Sequence, residues 1–413
     1  MDFSVPVLAP QCKMMNIGGV DIIGNPSSGV IVGLDEEGLS IVNKLRNHLP
    51  IHPASLNSNE LLLLNTLAES DFFISEGPIK IRSVYFHVTS HCNMHCPGCY
   101  SYEDGRNDRN DLSLSDLKNI LDNLVRAGLT HLIISGGEPF VRNDLDAFLA
   151  YARSIQQICY IECISNGTMP LARYRRALEY LDQLTFSLDS ACREKAIIRP
   201  DWAFDLVVKK ISALKSTKKP VSIVFTLHHK NIDDCDELLA FAHRLDTPCR
   251  FSIFTIDSFH GRTSPLTLTE SDYRSFHSFI TSKQSDIAID DGSLGNEISC
   301  VESCGAGKST VSVSSSGAVY PCHMFVGMPS FQIGNALCEE IVEIVNNPKR
   351  NPFCKMSVAD IRTCSDCQVR FVCGGGCRFR AYATGGKIDS IDPMCQIYKA
   401  NKESYIQRLV ASL

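Results

Sequence analysis

The stretch Ser83-Val-Tyr-Phe-His-Val-Thr-Ser-His-Cys92-Asn-Met-His-Cys96-Pro-Gly-Cys99 joins an apolar, strand-like run to three cysteines spaced CxxxCxxC. An iron–sulfur cubane contains four irons, and a loop with three thiolates can ligate only three of them. The fourth iron stays open to a ligand, which a plain electron carrier does not need and a catalyst can use. The spacing therefore predicts a redox catalyst rather than a structural metalloprotein.

The composition is that of an ordinary globular protein with two or three domains. Of 413 residues, 44% are hydrophobic and 21% are charged, and the formal net charge is -6. The acidic balance argues against a nucleic-acid or anionic-membrane partner. The sequence contains no apolar run that could span a bilayer, and its start does not resemble a signal peptide. We expect a cytoplasmic protein.

The chain contains 19 cysteines, which is an odd number. Cytosolic thiols are kept reduced, so a disulfide framework is not expected. Cysteines at tight spacings then indicate clusters or metal sites, whereas scattered ones usually pack as small hydrophobic residues.

Six short apolar runs alternate with amphipathic segments between residues 81 and 257. The predicted strands are Val84–Val88, Leu132–Ser135, Cys159–Ile164, Leu184–Leu188, Val221–Thr226 and Phe251–Ile256, and predicted helices include Ser115–Arg126, Leu145–Ile155, Trp202–Leu214 and Cys235–Leu245. Such βα units form a parallel sheet with right-handed crossovers, and six are too few for a closed eight-stranded barrel. The predicted fold class is α/β, with a partial (β/α)6 barrel. Reactive groups collect at the carboxyl ends of such strands, where the cysteine loop lies.

Smaller units flank this region. Residues 1–80 form a predicted small α+β, winged-helix-like unit, with two strands around Pro26-Ser-Ser-Gly29 and two helices, of which the second contains a Leu61–Leu64 run interpreted as core. The remaining predicted segments are a bridging region at 258–299 with a helix at Ser271–Ser282, a domain rich in Cys and Gly at 300–395, and a carboxy-terminal helix at 396–413.

The cysteine spacing, the aromatic Tyr100 behind it and its place after the first strand resemble the radical S-adenosylmethionine (SAM) superfamily. The resemblance implies a 4Fe-4S cluster on Cys92, Cys96 and Cys99 whose open iron chelates the amino and carboxylate groups of SAM. In that family the reduced cluster donates an electron into the sulfonium, and the resulting 5′-deoxyadenosyl radical removes a hydrogen from substrate. A zinc site completed by His91 or His95 is the structural alternative.

Further motifs stand where the family has them, one at each successive strand end. These are Gly136-Gly137-Glu138-Pro139, Ser165-Asn166-Gly167 and Ser187-Leu188-Asp189, followed by Arg199. The two glycines allow the backbone to approach a ligand closely, and Glu138 can receive the methionyl ammonium. The resemblance further implies that the second motif contacts the methionyl and ribose parts of SAM and that Arg199 neutralises its carboxylate.

A second set of cysteines occupies the carboxy-terminal region. Cys364, Cys367, Cys373 and Cys377 are spaced CxxCxxxxxCxxxC with Cys395 beyond them, and Cys300, Cys304 and the Gly317-to-Cys322 step precede them. The arrangement resembles the SPASM domain of peptide- and protein-modifying radical enzymes. That resemblance implies two auxiliary 4Fe-4S clusters, the nearer on Cys300, Cys304, Cys322 and Cys377 and the distal on Cys364, Cys367, Cys373 and Cys395.

Two alternatives stay open for these cysteines. If Cys300 is not a ligand, the nearer cluster has an open iron that could take a substrate thiolate. Zinc-ribbon folding is the structural alternative for all eight thiols, although zinc ribbons usually pair their cysteines in CxxC knuckles.

Two further residues are candidates for catalysis. Cys192 is near the expected active face and could take part in proton or thiol chemistry. His323 follows Cys322 at the step where SPASM sulfatase maturases carry an aspartate that accepts a proton, and a histidine could serve there. A hydrogen bond from His323 toward a cluster sulfur is the structural alternative.

The unit at residues 1–80 resembles the PqqD-like leader-recognition element of peptide maturases. Such units bind an extended leader peptide by adding it to a sheet edge. A capping domain is the structural alternative.

The resemblances imply a radical SAM/SPASM enzyme with three 4Fe-4S clusters that removes hydrogen from a ribosomally synthesised precursor peptide and closes a thioether or carbon–carbon crosslink. Its expected partners are the peptide with its leader and a flavodoxin or ferredoxin as electron donor, with no nucleic acid and no membrane. The alternatives are a sulfatase-maturase-like enzyme, a small-molecule or quinone-cofactor pathway enzyme, and a non-catalytic electron carrier or redox sensor.

Overall fold

A small antiparallel sheet followed by two helices begins the chain. The computed structural model describes residues 6–52, 56–75, 77, 79–102, 105–108, 111–215, 220–255, 264–283, 288–289 and 298–411. The first elements are β1 (Lys13–Ile17), β2 (Val20–Gly24), β3 (Ile31–Leu34), α1 (Glu36–Arg46) and α2 (Ser58–Glu69). Strand β2 lies between β1 and β3. The predicted small α+β unit is therefore confirmed, with one strand, β1, that the sequence did not predict.

Six parallel strands with helices between them form the predicted partial barrel. The strands are β4 (Ser83–Thr89), β5 (His131–Gly136), β6 (Tyr160–Ser165), β7 (Gln183–Leu188), β8 (Val221–Leu227) and β9 (Cys249–Ile253). The helices are α3 (Leu114–Arg126), α4 (Leu145–Ser154), α5 (Leu171–Ala177), α6 (Asp201–Leu214) and α7 (Cys235–Arg244). Each strand pairs in parallel with the next one along the chain. The predicted last residue of the sixth strand, Ile256, lies outside the described residues.

Local sequence explains why these elements form. The strands are nearly continuous buried runs, as expected when helices cover a parallel sheet. Helix α3 starts at a capping box, in which the Ser113 side chain accepts from the backbone of Asp116 and the Asp116 side chain accepts in return. Its buried residues Leu117, Ile120 and Leu124 recur at helical spacing and face the sheet.

The carboxy-terminal region extends the barrel sheet, which the sequence did not predict. Beyond α8 (Glu270–Lys283) and β10 (Ala288–Ile289), its elements are β11 (Thr310–Val313), β12 (Ala318–Tyr320), β13 (Gly334–Asn335), α9 (Ile341–Val345), α10 (Arg370–Cys373), α11 (Arg378–Gly385) and α12 (Cys395–Ala411). Strand β11 pairs in parallel with β4, and the sheet order is β10-β9-β8-β7-β6-β5-β4-β11-β12-β13. One sheet thus joins the barrel to the cysteine-rich region.

The hydrophobic core is likewise continuous across the predicted domain boundaries. The largest buried cluster contains barrel residues such as Phe86 and Phe186 together with Val311, Ile341 and Tyr398. A second cluster joins Ile17 of β1 to residues of the cysteine-rich region. The predicted boundaries at 80, 257, 299 and 395 therefore stay predictions.

The amino-terminal unit packs against the cysteine-rich region through β1 and β2. Lys13 forms an ion pair with Glu302 at 2.7 Å, and the backbone N–H of Cys300 donates to the carbonyl of Gly29 at 2.8 Å. Helix α2 of this unit is less covered by other elements. Leu61 and Leu62 are 44% and 65% exposed, so the interpretation of the Leu61–Leu64 run as core is wrong for these two leucines. The reason is that α2 buries one face, through Leu67, and leaves another open.

None of the helices in the described part of the chain has the length and apolar character needed to cross a membrane.

One buried side chain should stabilise the junction between α3 and the cysteine-rich region. Asn123 donates to the carbonyl of Glu339 at 2.8 Å and accepts from the N–H of Ile341 at 3.0 Å. Removing a buried partner leaves both backbone groups unsatisfied, so Asn123→Ala should lower the free energy of unfolding by about 1–3 kcal/mol. The same junction offers a matched control in Arg126→Ala, because its ion pair with Glu340 is more than half exposed and should be worth under about 1 kcal/mol. Urea unfolding of the anaerobically purified protein measures both. Equal destabilisation by the two variants would contradict the assignment.

Candidate active site and cluster sites

A cavity of about 170 Å³ lies at the carboxyl edge of the barrel strands. The three thiols of the loop after β4, Cys92, Cys96 and Cys99, line it together with Tyr100. The loop is held in place by the side chain of Asn107, which accepts from the N–H of Cys92 at 2.8 Å and donates to its carbonyl at 3.2 Å. We name this space the barrel cavity.

The three thiols form an electrostatically coupled group. Burial raises the pKa of Cys96 to about 11, and the neighbouring Cys99 and Cys92 raise it further while Arg199 opposes them. Burial also raises the pKa of Cys92, with Cys99 again adding to the rise. Buried thiolates this close repel one another unless a cationic centre binds them, because charge in a dry site is costly. The residues present therefore fit a metal cluster.

A glycine lets the cysteine loop close against the barrel. Gly98, between Cys96 and Cys99, has φ +65°, and a Cβ there would lie 2.2 Å from the ring of Phe254. Any larger residue would push the loop away from the ring that follows β9. Phe254 itself lines the barrel cavity, so this contact also fixes the position of the thiols relative to the cavity wall.

Arg106 is a buried cation beside the thiols that the sequence analysis missed. Its guanidinium donates to Cys99 Sγ at 3.6 Å and to Ser101 Oγ at 2.9 Å, and it lines the barrel cavity. Its Nε is buried and has no hydrogen-bond partner among the residues that the structure describes. Positive charge favours thiolate ligands, so Arg106 suits an anionic cluster. An arginine seven residues after Cys99 is a weak signal, because most arginines lie at the surface.

The Gly136–Pro139 loop contacts the cysteine loop backbone to backbone. The N–H of Gly137 donates to the carbonyl of Thr89 at 2.9 Å, and the N–H of Glu138 donates to that of His91 at 2.8 Å. A Cβ on Gly137 would lie 2.1 Å from the His91 carbonyl oxygen. Gly136 and Gly137 also line the barrel cavity. The glycines thus allow approach to the neighbouring loop as well as to a ligand, and Pro139 is buried at the start of a short 3-10 helix.

Glu138 faces its own loop and the next one. Its Oε1 accepts from the N–H of Phe140 at 3.1 Å and from Ser165 Oγ at 2.8 Å, and its Oε2 accepts from the N–H of Asn166 at 2.7 Å. It is fully buried, and burial raises its pKa to about 7 against the opposing effect of these hydrogen bonds. In the structure this carboxyl group ties the loops after β5 and β6 together. Contact with a methionyl ammonium stays a prediction.

Ser165 and Asn166 lie beside the first cysteine and line the barrel cavity. Asn166 Nδ2 is 3.9 Å from Cys92 Sγ and donates to Asn93 Oδ1 at 2.9 Å. This arrangement brings the ends of β4 and β6 together at the cavity, where the sequence predicts a SAM contact.

Asp189 positions Arg199. Its Oδ2 accepts from the N–H groups of Ile197 and Ile198 at 2.9 and 2.8 Å, and its Oδ1 is 3.3 Å from Arg199 Nη1. Asp189 is buried, whereas Arg199 lines the barrel cavity with Ser187. The structure therefore brings Ser187 and Arg199 to the cavity and places Asp189 behind them.

Side chains from the cysteine-rich region complete the cavity wall. His323, Met324 and Phe379 line it, and the His323 ring stacks on Tyr85 with centroids 4.0 Å apart. His323 also meets the Tyr100 ring edge-on at 5.2 Å. Burial lowers the pKa of His323 to about 4, so its imidazole is neutral near pH 7. The sequence does not indicate Met324 and Phe379 as cavity residues, because residues with no polar group give no chemical signal.

Cys192 is half-buried at the start of a short 3-10 helix, Arg193–Lys195, and is not among the residues that line the barrel cavity. A catalytic role of Cys192 in proton or thiol chemistry stays a prediction.

Seven of the eight carboxy-terminal cysteines fall into two groups. Burial raises the pKa of Cys377 to about 11, with Cys304 adding to the rise, and burial together with Cys377 and Cys304 raises that of Cys322. We name these three the nearer group. The distal group lines one pocket and consists of Cys364, Cys367, Cys373 and Cys395. This partition is the one that the SPASM resemblance implies.

Cys300 lies apart from the nearer group in its contacts. Its thiol packs against Gly24, since a Cβ on Gly24 would lie 2.6 Å from Cys300 Sγ. Burial raises its pKa to about 12, and its charged neighbours are Lys13, Cys12 and Glu302. The structure does not bring Cys300 to Cys304, Cys322 or Cys377 by any of these contacts, so its place as a fourth ligand stays a prediction.

No group of three or more His, Cys, Asp or Glu side chains in the described ranges is arranged to hold a single metal ion. Thiolates on one zinc lie within about 4 Å of one another, since each Zn–S distance is about 2.3 Å. A four-iron cluster spreads its ligands more widely, because each thiolate binds a different iron.

Comparison with known proteins agrees with this geometry. The model of the radical SAM superfamily matches residues 86–242, and that of the SPASM iron–sulfur cluster-binding domain matches residues 304–368. The chain is a radical SAM protein with a SPASM domain.

Two relatives extend the similarity beyond the matched domains. This radical SAM/SPASM chain is 27% identical over 338 residues to mycofactocin maturase MftC of Mycolicibacterium smegmatis, which covers 75% of this chain and 81% of that protein. It is 24% identical over 353 residues to the AdoMet-dependent heme synthase of Methanosarcina barkeri, covering 78% of this chain and 98% of that protein.

Solved structures share the fold. anSMEcpe with bound AdoMet superposes with a TM-score of 0.64 at 19% identity, covering 80% of this chain and 95% of that one. Streptococcus suis SuiB bound to precursor peptide SuiA superposes with a TM-score of 0.60 at 15% identity, covering 94% of this chain and 99% of that one. Because the superposition with SuiB covers 94% of this chain, it includes the amino-terminal unit. The radical SAM and SPASM domains imply SAM and 4Fe-4S clusters as cofactors.

The raised pKa of Glu138 makes a prediction about stability and pH. Its folded pKa of about 7 exceeds the ordinary value of 4.5, so the folded protein holds a proton that the unfolded chain releases. This contribution is fully present below about pH 4.5 and is lost as the pH rises through about 7. Thermal unfolding of the wild type, relative to Glu138→Gln, should therefore shift to lower temperature between about pH 4.5 and pH 7 and change little above about pH 8. Parallel pH profiles for the two proteins would show that Glu138 does not titrate in this range.

Proposed function

We propose that this radical SAM/SPASM protein removes hydrogen from a ribosomally synthesised precursor peptide and closes an oxidative crosslink, either a thioether or a carbon–carbon bond. The observation that carries the proposal is the amino-terminal sheet, which has an edge that no described strand pairs and which packs on the SPASM domain. The relative named as a mycofactocin maturase and the fold shared with SuiB, which was solved with a precursor peptide, support it.

The cofactors supply reductive cleavage of SAM, and this chain supplies the enclosure. Cys92, Cys96 and Cys99 would hold the cluster, and Arg199, which lines the same cavity, would bind the carboxylate of SAM. Tyr85, Met324 and Phe379 line the cavity, and their largely apolar side chains would exclude water, which protects a reactive centre from side reactions. Ser187 and Asn166 provide polar groups that can orient a bound ligand.

His323 is the proposed proton acceptor for the substrate. It lines the barrel cavity, and burial keeps its imidazole neutral near pH 7, which leaves one ring nitrogen with a lone pair for a proton although the lowered pKa makes it a weak base. A hydrogen bond toward a cluster sulfur remains the alternative for this residue. Cys192 is the less supported candidate, since it is not among the cavity-lining residues.

The nearer and distal groups would hold two auxiliary clusters, giving three 4Fe-4S clusters in all. These would accept the electron left after hydrogen removal. With Cys300 packed against Gly24, three thiolates of the nearer group would leave an iron open, and a substrate thiol could bind there. A flavodoxin or ferredoxin is the proposed electron donor.

The open edge of β3 is the proposed site of the leader peptide. Adding a strand to this edge would satisfy backbone groups that β2 does not pair. Helix α2 presents Leu61 and Leu62 to solvent, and the side chains of Leu34 of β3 and Leu63 of α2 both approach Gly38 of α1. A leader with apolar residues could cover both features.

Two other enzyme classes and one non-enzymatic class are distinguishable. A sulfatase-maturase-like enzyme is disfavoured by His323 in place of aspartate. A small-molecule enzyme is favoured by the similarity to the heme synthase, which spans nearly all of that protein, but it gives no reason for an open sheet edge. A non-catalytic electron carrier or redox sensor would leave SAM intact.

The proposal is tested with the peptide that a short open reading frame beside the gene encodes. Anaerobically reconstituted protein with SAM, reductant and the peptide should yield 5′-deoxyadenosine and a peptide lighter by two hydrogens. Replacing Cys92, Cys96 and Cys99 with Ala should abolish SAM cleavage and remove about four of about 12 irons per chain. The control Cys338→Ala, at an exposed cysteine outside the three groups, should keep both. Formation of 5′-deoxyadenosine with an unchanged peptide mass would exclude crosslinking, and intact SAM would favour the carrier.

Leader binding is testable apart from chemistry. Leu61→Glu combined with Leu62→Glu places charge on the exposed face of α2, which the leader is proposed to cover. The double variant should weaken binding of a fluorescent leader about tenfold or more, which corresponds to the free energy of burying one leucine. Both positions are exposed, so the fold should tolerate the change. The matched control is Leu206→Glu, an exposed leucine on barrel helix α6. Fluorescence anisotropy measures the affinity, and equal affinity of the double variant and the wild type would rule out this surface.

A further inference from the structure

Arg378 is a buried cation without an anionic partner in the described protein. Its side chain is 1% exposed, and it donates to the carbonyls of Ile388 at 2.9 Å, of Ser390 at 3.0 Å and of Gly375. No carboxylate of the described residues lies within ion-pair distance of it, and its Nε is buried without a hydrogen-bond partner. Carbonyl dipoles alone rarely compensate a buried charge, so a further anion is expected beside it.

The pocket that Arg378 lines contains the distal group. Cys364, Cys367, Cys373 and Cys395 line the same pocket as its guanidinium. Although Arg378 follows Cys377 of the nearer group in sequence, its side chain points into the pocket of the other four thiols. These thiols are the anions available to it once they are deprotonated as ligands.

The one carboxylate in this pocket is already neutralised. Asp392 Oδ1 accepts from Arg380 Nε at 2.8 Å and from the N–H of Met394 at 2.9 Å. Its Oδ2 accepts from Arg380 Nη2 at 2.9 Å and from the N–H of Cys377 at 2.6 Å. Because Arg380 balances its charge and four donors fill its oxygens, Asp392 leaves Arg378 uncompensated.

A second arginine strengthens the positive field at the same pocket. Arg370 lines it, donates from Nη1 to the carbonyl of Cys367 at 2.9 Å, and also has a buried Nε without a partner. It is less buried than Arg378 and packs over the Phe371 ring, so water screens its charge more.

We propose that Arg378 is the buried counter-cation of the distal 4Fe-4S cluster and that its charge and Nε–H raise the reduction potential of that cluster. Reduction adds one electron to a cluster that four thiolates already make anionic. A fixed cation in a dry pocket stabilises the reduced form more than the oxidised form, and hydrogen bonds to cluster sulfur act in the same direction. Arg378 is thus a positioning and tuning residue. The inference rests on the proposed distal cluster and does not depend on the peptide substrate.

An EPR-monitored redox titration of the full chain tests the proposal, with dithionite as reductant and mediator dyes. Replacing Cys92, Cys96 and Cys99 with Ala removes the overlapping SAM-binding cluster. The distal signal is assigned by its loss in Cys395→Ala. In this background Arg378→Gln should move the midpoint of the distal signal to more negative potential and leave the nearer signal in place. Arg378→Lys, which keeps the charge, should move it less.

Matched variants separate the possible failures. Arg362→Gln neutralises an exposed arginine two residues before Cys364, and solvent screening should leave the distal midpoint unchanged. An unchanged midpoint in Arg378→Gln with full iron content would overturn the proposal, as would equal shifts in Arg378→Gln and Arg378→Lys. If Arg378→Gln loses the cluster, Arg370→Gln should still give a smaller negative shift, and no shift would again overturn it. Unchanged iron in Cys395→Ala would instead refute the distal cluster itself.

Discussion

The site depends on one close contact between two backbones. The loop after β5 hydrogen-bonds to the loop after β4 through Gly137 and Glu138, at a separation that a Cβ on Gly137 would forbid. This contact aligns the three thiols with the strand ends that follow. Glu138 also fixes the loop after β6, because its carboxyl group accepts hydrogen bonds from Ser165 and Asn166. Three successive loops are thereby fixed relative to one another before any cofactor binds.

The extension of the sheet past β4 has a chemical consequence. Since β11 pairs with the strand that carries the cysteine loop, the SPASM domain lies directly beside that loop. His323 and Met324 therefore reach the barrel cavity, and His323 stacks on Tyr85 of β4. Side chains of two domains therefore line one cavity. Substrate would meet side chains of both domains in one cavity, with the thiols of the nearer group just behind His323.

Arginines recur beside the cysteine groups, and two of them, Arg106 and Arg378, are buried. Arg106 contacts Cys99, Arg199 lies near Cys96, and Arg378 lines the distal pocket. Isolated guanidinium groups are costly to bury, and thiols held at a raised pKa are poor ligands. When an anionic cluster is bound, its charge compensates the buried guanidinium groups, and the positive charge of the arginines stabilises the thiolate ligands. The protein thus has an interior in which cofactor and side chains are electrostatically complementary.

The sequence by itself determined the order of the chemistry: the cysteine spacing, the motifs at successive strand ends, the six βα units and the paired sets of carboxy-terminal thiols. These are local patterns, in which neighbouring residues share one loop or one period. The contacts between distant parts of the chain became known only from the tertiary structure. It joined β11 to β4, turned Glu138 toward other loops, packed Cys300 against Gly24 and brought Arg106, Met324 and Phe379 to the cavity. Such contacts join residues far apart in the chain through burial and shape, and apolar or singly charged side chains carry no spacing from which their partners could be predicted.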